Sequence, residues 1–372
     1  MSAIDQDQAS RACTSCLRRS WLLSMVSTTL EYSCRDRERL IELLTLSDED
    51  LLQALGGRRR AEIAALYAHF DREDVCRAQG IEMVCRHDRF YPPVLKGPGS
   101  PQMLNVAGGV KRLEELTAAP TVAIIGSIRA TDYGMEMAKG LARGLAASGV
   151  TVTSGLSDGI AVAALAGALE VAGRTVAVMP GGLDVACPAR RRSLFERVKG
   201  NGCGVAELPC GCEPRLWGRA ASERILARLA GLTVVVEAQD SPGELAGARI
   251  AKALGRTVAA VPGRVTSPAS SGTHALLIDG AHLVRGPADA LELLCGPDAP
   301  ATSPPRDARA ALEPRLRSVL DRVGEGRDTP DRLTAAGEDS GELLLALSEL
   351  ELLGLLARGD GGRYVPRNTL LA

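Results

Sequence analysis

At 372 residues the chain is long enough for two or three domains and a sizeable core. A formal net charge of −1 excludes a nucleic-acid coat or acidic tail on whole-chain charge, and 45% hydrophobic residues exclude a disordered chain. Aromatics make up only 3%, so stacking platforms are scarce in what reads as an Ala/Leu/Val/Gly-rich α/β protein.

Residues 1 to about 35 read as a polar tail and then a helix around 12–26, with Leu17, Trp21 and Leu22 on one face. Arg18-Arg19 precedes an apolar run as in a secretory leader. Yet Ser24, Ser27, Thr28 and Thr29 interrupt that run, it starts late, and no small-residue cleavage pattern follows. No stretch reaches the length of a membrane span, and the expected compartment is the reducing cytoplasm. Ten scattered cysteines suit free thiols better than a disulfide framework. Cys13 and Cys16 form a lone CxxC, and Cys210 and Cys212 a CxC. With no second pair or nearby histidine to complete a tetrahedral set, no metal site is expected, structural zinc being the less favoured alternative.

Residues 36–90 read as helical. Ser47 stands three residues before Asp50, close to a capping box, Gly56-Gly57 stops that helix, and 58–70 supplies another. Helix, double-glycine turn and helix resemble a sterile-alpha-motif or helix-hairpin-helix module, which more often packs than touches a phosphate. The stretch from Tyr91 to Gly109 is rich in Pro and Gly and reads as an extended connector between domains.

After it, strand-like runs fall at 122–125, 150–153, 175–179, 204–208, 233–237 and 257–261, with helical segments near 132–148, 159–172, 189–199, 216–230 and 244–254. Strand and helix alternating at this spacing predict a doubly wound, mostly parallel sheet, whose ligands sit at the carboxyl ends of its strands. The stretch TVAIIGSIRATDYG, Thr121 to Gly134, is the first strand, a tight turn at Gly126-Ser127 and a helix start capped by Thr131 or Asp132. Backbone N–H groups and the helix dipole would make an anion site there, with Arg129 adding a charged fork. The same turn also reads as an ordinary βα turn with a solvated arginine. Ser154-Gly155, Gly181-Gly182 and 262–273 add small-residue loops that could line a phosphate cradle. Neither GxGxxG nor GxxxxGK[ST] is present, against a classical dinucleotide cofactor and a P-loop NTPase.

Residues 297–310 form a Pro/Ala/Ser linker. Beyond it, 311–372 reads as a winged-helix-like domain: helices near 312–323, from 329, and over 340–356, then a glycine turn at 359–362 into a wing strand at 363–365. Eight arginines against eleven acidic residues there favour a protein-contact module over a DNA reader.

Several blocks in order then resemble one family, the DNA-processing proteins DprA/Smf. They are Tyr91-Pro92, VAIIGSIRATDYG, SGLSDGIAVAALAGAL, GRTVAVMPGGLD, AELP, TVVVEA and GRTVAAVPGRVTSPASSGTHALLIDGA, spanning about Tyr91 to Leu294. The resemblance implies a Rossmann-like core over 91–296 that binds single-stranded DNA non-specifically, forms a homodimer and delivers the strand to the RecA recombinase in transformation, with no catalytic turnover and no cofactor. The polar lining departs from the family. Ile128 stands where the family has the arginine of GSR, and Arg129 follows it. Ala161 and Leu165 replace an acid and a histidine, and Cys187 and Arg191 a tyrosine and an asparagine. The FxxRNR block reads Arg219-Ala220-Ala221-Ser222-Glu223-Arg224, and the SG…T loop Pro242-Gly243 with Gly247.

The resulting DNA-contact set is Gly126, Ser127, Arg129, Ser154, Gly155, Gly181, Gly182, Arg190, Arg191, Arg192, Lys199, Trp217, Arg219, Arg224 and Gly243. Between 120 and 295 there are 18 basic and 15 acidic residues, and 190–199 is an arginine-rich run that reads equally as a groove or as a solvated helix face. Trp217 is the one large aromatic near that block, a stacking platform or a core residue. An alternative reading is a nucleotide sensor or nucleotide-processing protein of the same Rossmann subgroup, with Glu207 and Glu237 as its first acids.

Overall fold

A computed structural model describes residues 10–33, 37–72, 78–97, 99–185, 189–296, 312–324, 326–334, 339–353, 355–358 and 362–366. The 297–310 linker, the polar tail over 1–9, Cys187 and the glycine turn at 359–361 lie outside the described residues.

Ten strands form one sheet. They are β1 (Ser10–Arg11), β2 (Ile81–Cys85), β3 (Met103–Ala107), β4 (Thr121–Ile125), β5 (Thr151–Ser154), β6 (Thr175–Val178), β7 (Gly202–Ala206), β8 (Leu232–Val235), β9 (Thr257–Ala260) and β10 (His282–Leu283). Their order is β1-β2-β3-β7-β6-β5-β4-β8-β9-β10. From β7 to β10 all pairings are parallel, while β3 runs antiparallel to both β2 and β7. The inner parallel strands are largely apolar and buried on both faces, as runs such as Val-Ala-Ile require, whereas the edge strand β10 is exposed. The chain steps outward one way through β4, β5, β6 and β7 and the other way from β8, so strand order reverses between β4 and β8.

The helices that matter for the site follow. They are α1 (Thr14–Ser33), α2 (Arg37–Thr45), α3 (Asp48–Leu55), α4 (Arg60–Ala68), α5 (Val110–Ala118), α6 (Asp132–Ala147), α7 (Ile160–Glu170), α8 (Arg192–Asn201), α9 (Leu216–Leu229), α10 (Ala246–Ala253), α11 (Ser271–Ile278) and α12 (Pro287–Cys295). The six strands and five helices expected after residue 120 all form, with ends moved by a few residues.

Upstream of residue 120 the structure corrects the sequence reading. The stretch from Tyr91 to Gly109 is not an extended connector: it holds β3, inside the sheet, and Tyr91 is buried with its hydroxyl donating to the Pro101 carbonyl at 2.6 Å. Both β1 and β2 extend the same sheet, so its edge is made by residues upstream of the proline-rich stretch. Nor do the N-terminal helices keep a core to themselves. Leu22, Val26, Leu40, Leu51 and Ile63 share one with Leu208, Trp217 and Ala221. Ser47 caps α3 as its spacing predicts, accepting from the Asp50 N–H at 3.1 Å. Helix α1 runs on to Ser33, well past its expected end, because Leu30 remains on the buried face.

C-terminal to residue 311 lie α13 (Pro314–Gly324), α14 (Pro330–Leu333), α15 (Ser340–Leu352) and an antiparallel pair, β11 (Leu356–Arg358) and β12 (Tyr364–Pro366). They surround a core of Leu316, Leu320, Leu333, Leu347 and Tyr364. Arg143 of α6 reaches Asp328 at 3.2 Å.

Candidate nucleic-acid interface

A cleft of about 530 Å³ opens at the carboxyl ends of β4, β5 and β6, beside the place where strand order reverses. Open α/β sheets bind ligands there, because the two neighbouring crossovers leave on opposite faces and part the loops. Gly126, Ser154, Gly155 and Gly243 line the cleft, as do Arg190, Arg191 and Arg219, so seven of the fifteen expected contact residues are gathered at it. Arg215 also lines it, a residue the family pattern did not single out. The sequence groups it with Arg219 and Arg224 as charges near the 190–199 run, outside the family's motif positions.

The first βα turn does not offer the anion site its sequence suggests. Glu237, buried at the end of the β8 segment, puts its carboxylate on the N-terminus of α6. It accepts from the Thr131 N–H at 2.8 Å and from the Thr131 hydroxyl at 2.7 Å. The Ser127 amide donates to the Glu237 carbonyl at 2.6 Å, and the Gly134 amide to the Thr131 hydroxyl at 3.2 Å. Gly134 is glycine because a Cβ there would meet the Glu237 carboxylate. An internal anion therefore fills the positive end of this helix. Ile128, 41% exposed, lines the cleft, whereas Arg129 is exposed outside it and makes no ion pair among the described residues.

In the second turn, Gly155 to Gly159, the Ser157 and Asp158 amides have no backbone acceptor among the described residues. Gly159 (φ +74°) brings this turn against the first, and the Ile160 amide donates to the Ser127 carbonyl at 3.2 Å. Asp158 holds Arg190 and Arg191 as ion pairs, and Arg191 also donates to the Leu156 carbonyl. Burial pushes the Arg191 guanidinium below its usual range.

The other expected contacts have structural partners. Trp217 is a core residue and no stacking platform: it is wholly buried, and its indole N–H donates to the Ser27 hydroxyl at 3.0 Å. Arg224 is buried against Glu207 and donates to the Gly99 carbonyl, so neither it nor Glu207 reaches the cleft. Gly181 and Gly182 pack on the 209–214 loop, and the Gly182 amide donates to the Cys212 carbonyl at 2.8 Å. Lys199 pairs with Glu196 at 2.8 Å at the far end of α8, away from the cleft, and Arg192 is exposed outside it. On the opposite wall Arg219 stands 3.6 Å from Glu223. Glu31 of α1 accepts from the Leu216 and Trp217 amides at 3.0 and 3.2 Å, capping α9 from another element. Four arginines thus face Glu31, Asp158, Glu223 and Glu244, a balanced lining.

Residues 82–295 match the family model of DNA recombination-mediator protein A. The chain belongs to that family. A putative DNA processing protein DprA of Mycobacterium tuberculosis is 36% identical over 328 residues, covering 84% of this chain and 82% of the relative. Protein Smf of Escherichia coli is 35% identical over 286 residues, covering 73% and 74%. The crystal structure of DNA processing protein A from Streptococcus pneumoniae superposes with a TM-score of 0.58 at 27% identity, covering 74% of this chain and 95% of that one. The DprA fold is therefore shared, and the matched span includes β2, β3 and the parallel strands. Among the described residues no helix is long and apolar enough to cross a membrane.

Proposed function

We propose that this chain binds single-stranded DNA, without reading its sequence, along the cleft at the carboxyl ends of β4, β5 and β6. The observation that carries the reading is the convergence of Gly126, Gly155 and four arginines where strand order reverses, in a family with relatives named DNA processing proteins. The free amides of the second turn and Arg190, Arg191, Arg215 and Arg219 would meet successive phosphates. The family reading further has the protein act as a cytoplasmic homodimer that passes the strand to RecA, without turnover of its own. Exposed Ile278, and Leu283 on β10, the edge strand among the described residues, are the apolar surface such a dimer would cover. In the same reading, α2 to α4 are a small helical module resembling sterile-alpha-motif or helix-hairpin-helix units. The three C-terminal helices with their hairpin are a winged-helix-like unit suited to a protein partner.

Fluorescence anisotropy of labelled oligonucleotides, single- and double-stranded, at two salt concentrations tests this. The expected result is salt-sensitive binding of the single strand, weakened by Arg215→Ala and Arg219→Ala and little changed by Arg129→Ala. Absence of binding at low salt would remove the DNA reading. Two observations favour a second reading, a free nucleotide: the balanced charge, and a volume within the ~300–1,000 Å³ of small-molecule sites. Saturable binding of a nucleotide, with no binding of oligonucleotide, would establish it.

A further inference from the structure

Away from the cleft, four side chains from two distant parts of the chain converge where the N-terminus joins the sheet. Cys13, Cys16, Cys85 and His87 place one donor atom each within 4.8 Å of one another. We propose that they bind one structural Zn²⁺ ion as a closed Cys₃His site. This corrects the sequence expectation that no second pair completes the Cys13-x-x-Cys16 motif. The completing residues form Cys85-x-His87, about seventy positions downstream.

Strand pairing explains the convergence. Parallel pairing of β1 with β2 sets Arg11 opposite Val84, so the chain leaves β1 toward Cys13 beside the end of β2 at Cys85. A turn in which the Asp88 amide donates to the Cys85 carbonyl at 2.9 Å then folds His87 back over the pair. The His87 Nδ1 stands 3.4 Å from the Cys13 sulfur, 3.5 Å from that of Cys16 and 3.9 Å from that of Cys85. With Zn–S near 2.3 Å and Zn–N near 2.0–2.1 Å, the sulfur–nitrogen edge of a tetrahedron is about 3.5 Å. All three distances lie close to that edge, so one ion at the centre satisfies the four donors together.

The surroundings suit thiolate ligands. The Cys13 amide is 3.4 Å from the Cys85 sulfur and donates to it, and the Ser15 hydroxyl is 3.2 Å from the Cys13 sulfur. Arg72 donates to the Ala12 carbonyl at 3.2 Å, adding positive charge beside a site that three thiolates and zinc leave net negative. Cys16 and Cys85 are buried among Ala12, Leu17, Met83 and Met103, while His87 is exposed and leaves a way in for the ion. Buried thiols that merely fill a core have no reason to surround a ring nitrogen of an exposed histidine. All four donors come from the protein, which marks a structural and not a catalytic zinc.

The ion would pin α1 to the sheet. Some 22 Å further along that helix, at 1.5 Å per residue, Glu31 caps α9 and lines the cleft.

Metal analysis of the full-length chain, purified under reducing conditions without chelators or metal-affinity resin, tests the assignment. One zinc per chain is expected. Cys13→Ser and Cys85→Ser should fall to near zero, His87→Ala should retain its circular dichroism and lose zinc on desalting, and Cys295→Ser should keep its full equivalent. Cobalt added to chelator-stripped protein should give thiolate charge-transfer and tetrahedral d–d bands that His87→Ala alters. Failure of the reduced parent chain to retain zinc after its addition and desalting would overturn the proposal. So would full zinc content in both Cys85→Ser and His87→Ala, or a Cys13–Cys16 disulfide in protein kept under reducing conditions.

Discussion

Two helix N-termini follow adjacent turns that both border the cleft, and they differ in what already occupies them. At α6 the carboxylate of Glu237 takes the Thr131 amide and hydroxyl. At α7 the turn before the helix keeps its Ser157 and Asp158 amides, among the described residues, without backbone acceptors. Arg190 and Arg191 lean over this second turn. The difference teaches that a helix dipole makes an external anion site only where the chain has not supplied its own anion. The same contrast recurs within α9. Arg224 is buried on Glu207, while Arg219, one turn and a residue earlier, lines the cleft.

The sharpest break of this comparison is Arg224→Ala. It strands a buried Glu207 carboxylate and should cost about 3–5 kcal/mol in chemical denaturation, whereas Arg219→Ala should stay within about 0.5 kcal/mol. Arg219→Ala should instead weaken oligonucleotide binding and lower the salt slope by about 1. Next in size is Glu237→Ala, expected to cost about 2–3 kcal/mol by leaving the Thr131 amide unpaired. That variant should be stabilised by added sulfate or phosphate far more than the parent, since its α6 N-terminus is then open. A thermal melt that responds equally in both proteins would refute the internal-anion account.

A smaller change is expected from Asp158→Asn, which releases Arg190 and Arg191 from their acid. Single-strand affinity should rise by about 1 kcal/mol, roughly fivefold, with a steeper salt dependence. The smallest effect lies in the N-terminal helices that back the cleft wall. Burial, and then the hydrogen bond to Asp48, push the Tyr67 phenol up to about 12 from an ordinary value of 10. A raised folded-state value gives stability that is complete below pH 10 and declines as the pH climbs through 12. Tryptophan fluorescence should therefore report easier unfolding of α1 and α4 over that window, since Trp21 packs 6.4 Å from the Tyr67 ring.

Much of the parallel sheet was legible because its strands are continuous β-branched runs separated by helical periods, a local signal. Gly134 could be placed at a helix start and Gly159 in a turn, but their reasons, the Glu237 carboxylate just beyond β8 and a carbonyl from the neighbouring turn, are contacts across the sheet. Strand β3 was hidden because prolines at 92, 93 and 101 dominate its neighbourhood. Its five residues are held by two antiparallel partners that composition does not announce. Trp217 and Arg224 could be proposed as contacts but not assigned. Whether an indole or a guanidinium faces solvent depends on Ser27 and Glu207, elements away.

By itself, then, the sequence determined the family, the alternation of strand and helix, and the glycine turns that follow the strands, because each of these is written in neighbouring residues. Only the tertiary structure decided which cations stay free, which helix ends stay open, and that Cys13, Cys16, Cys85 and His87 share one point. Charge compensation and metal-ligand geometry act through distances of a few ångströms in space. Residues seventy or a hundred positions apart reach those distances only once the sheet has set its strand order.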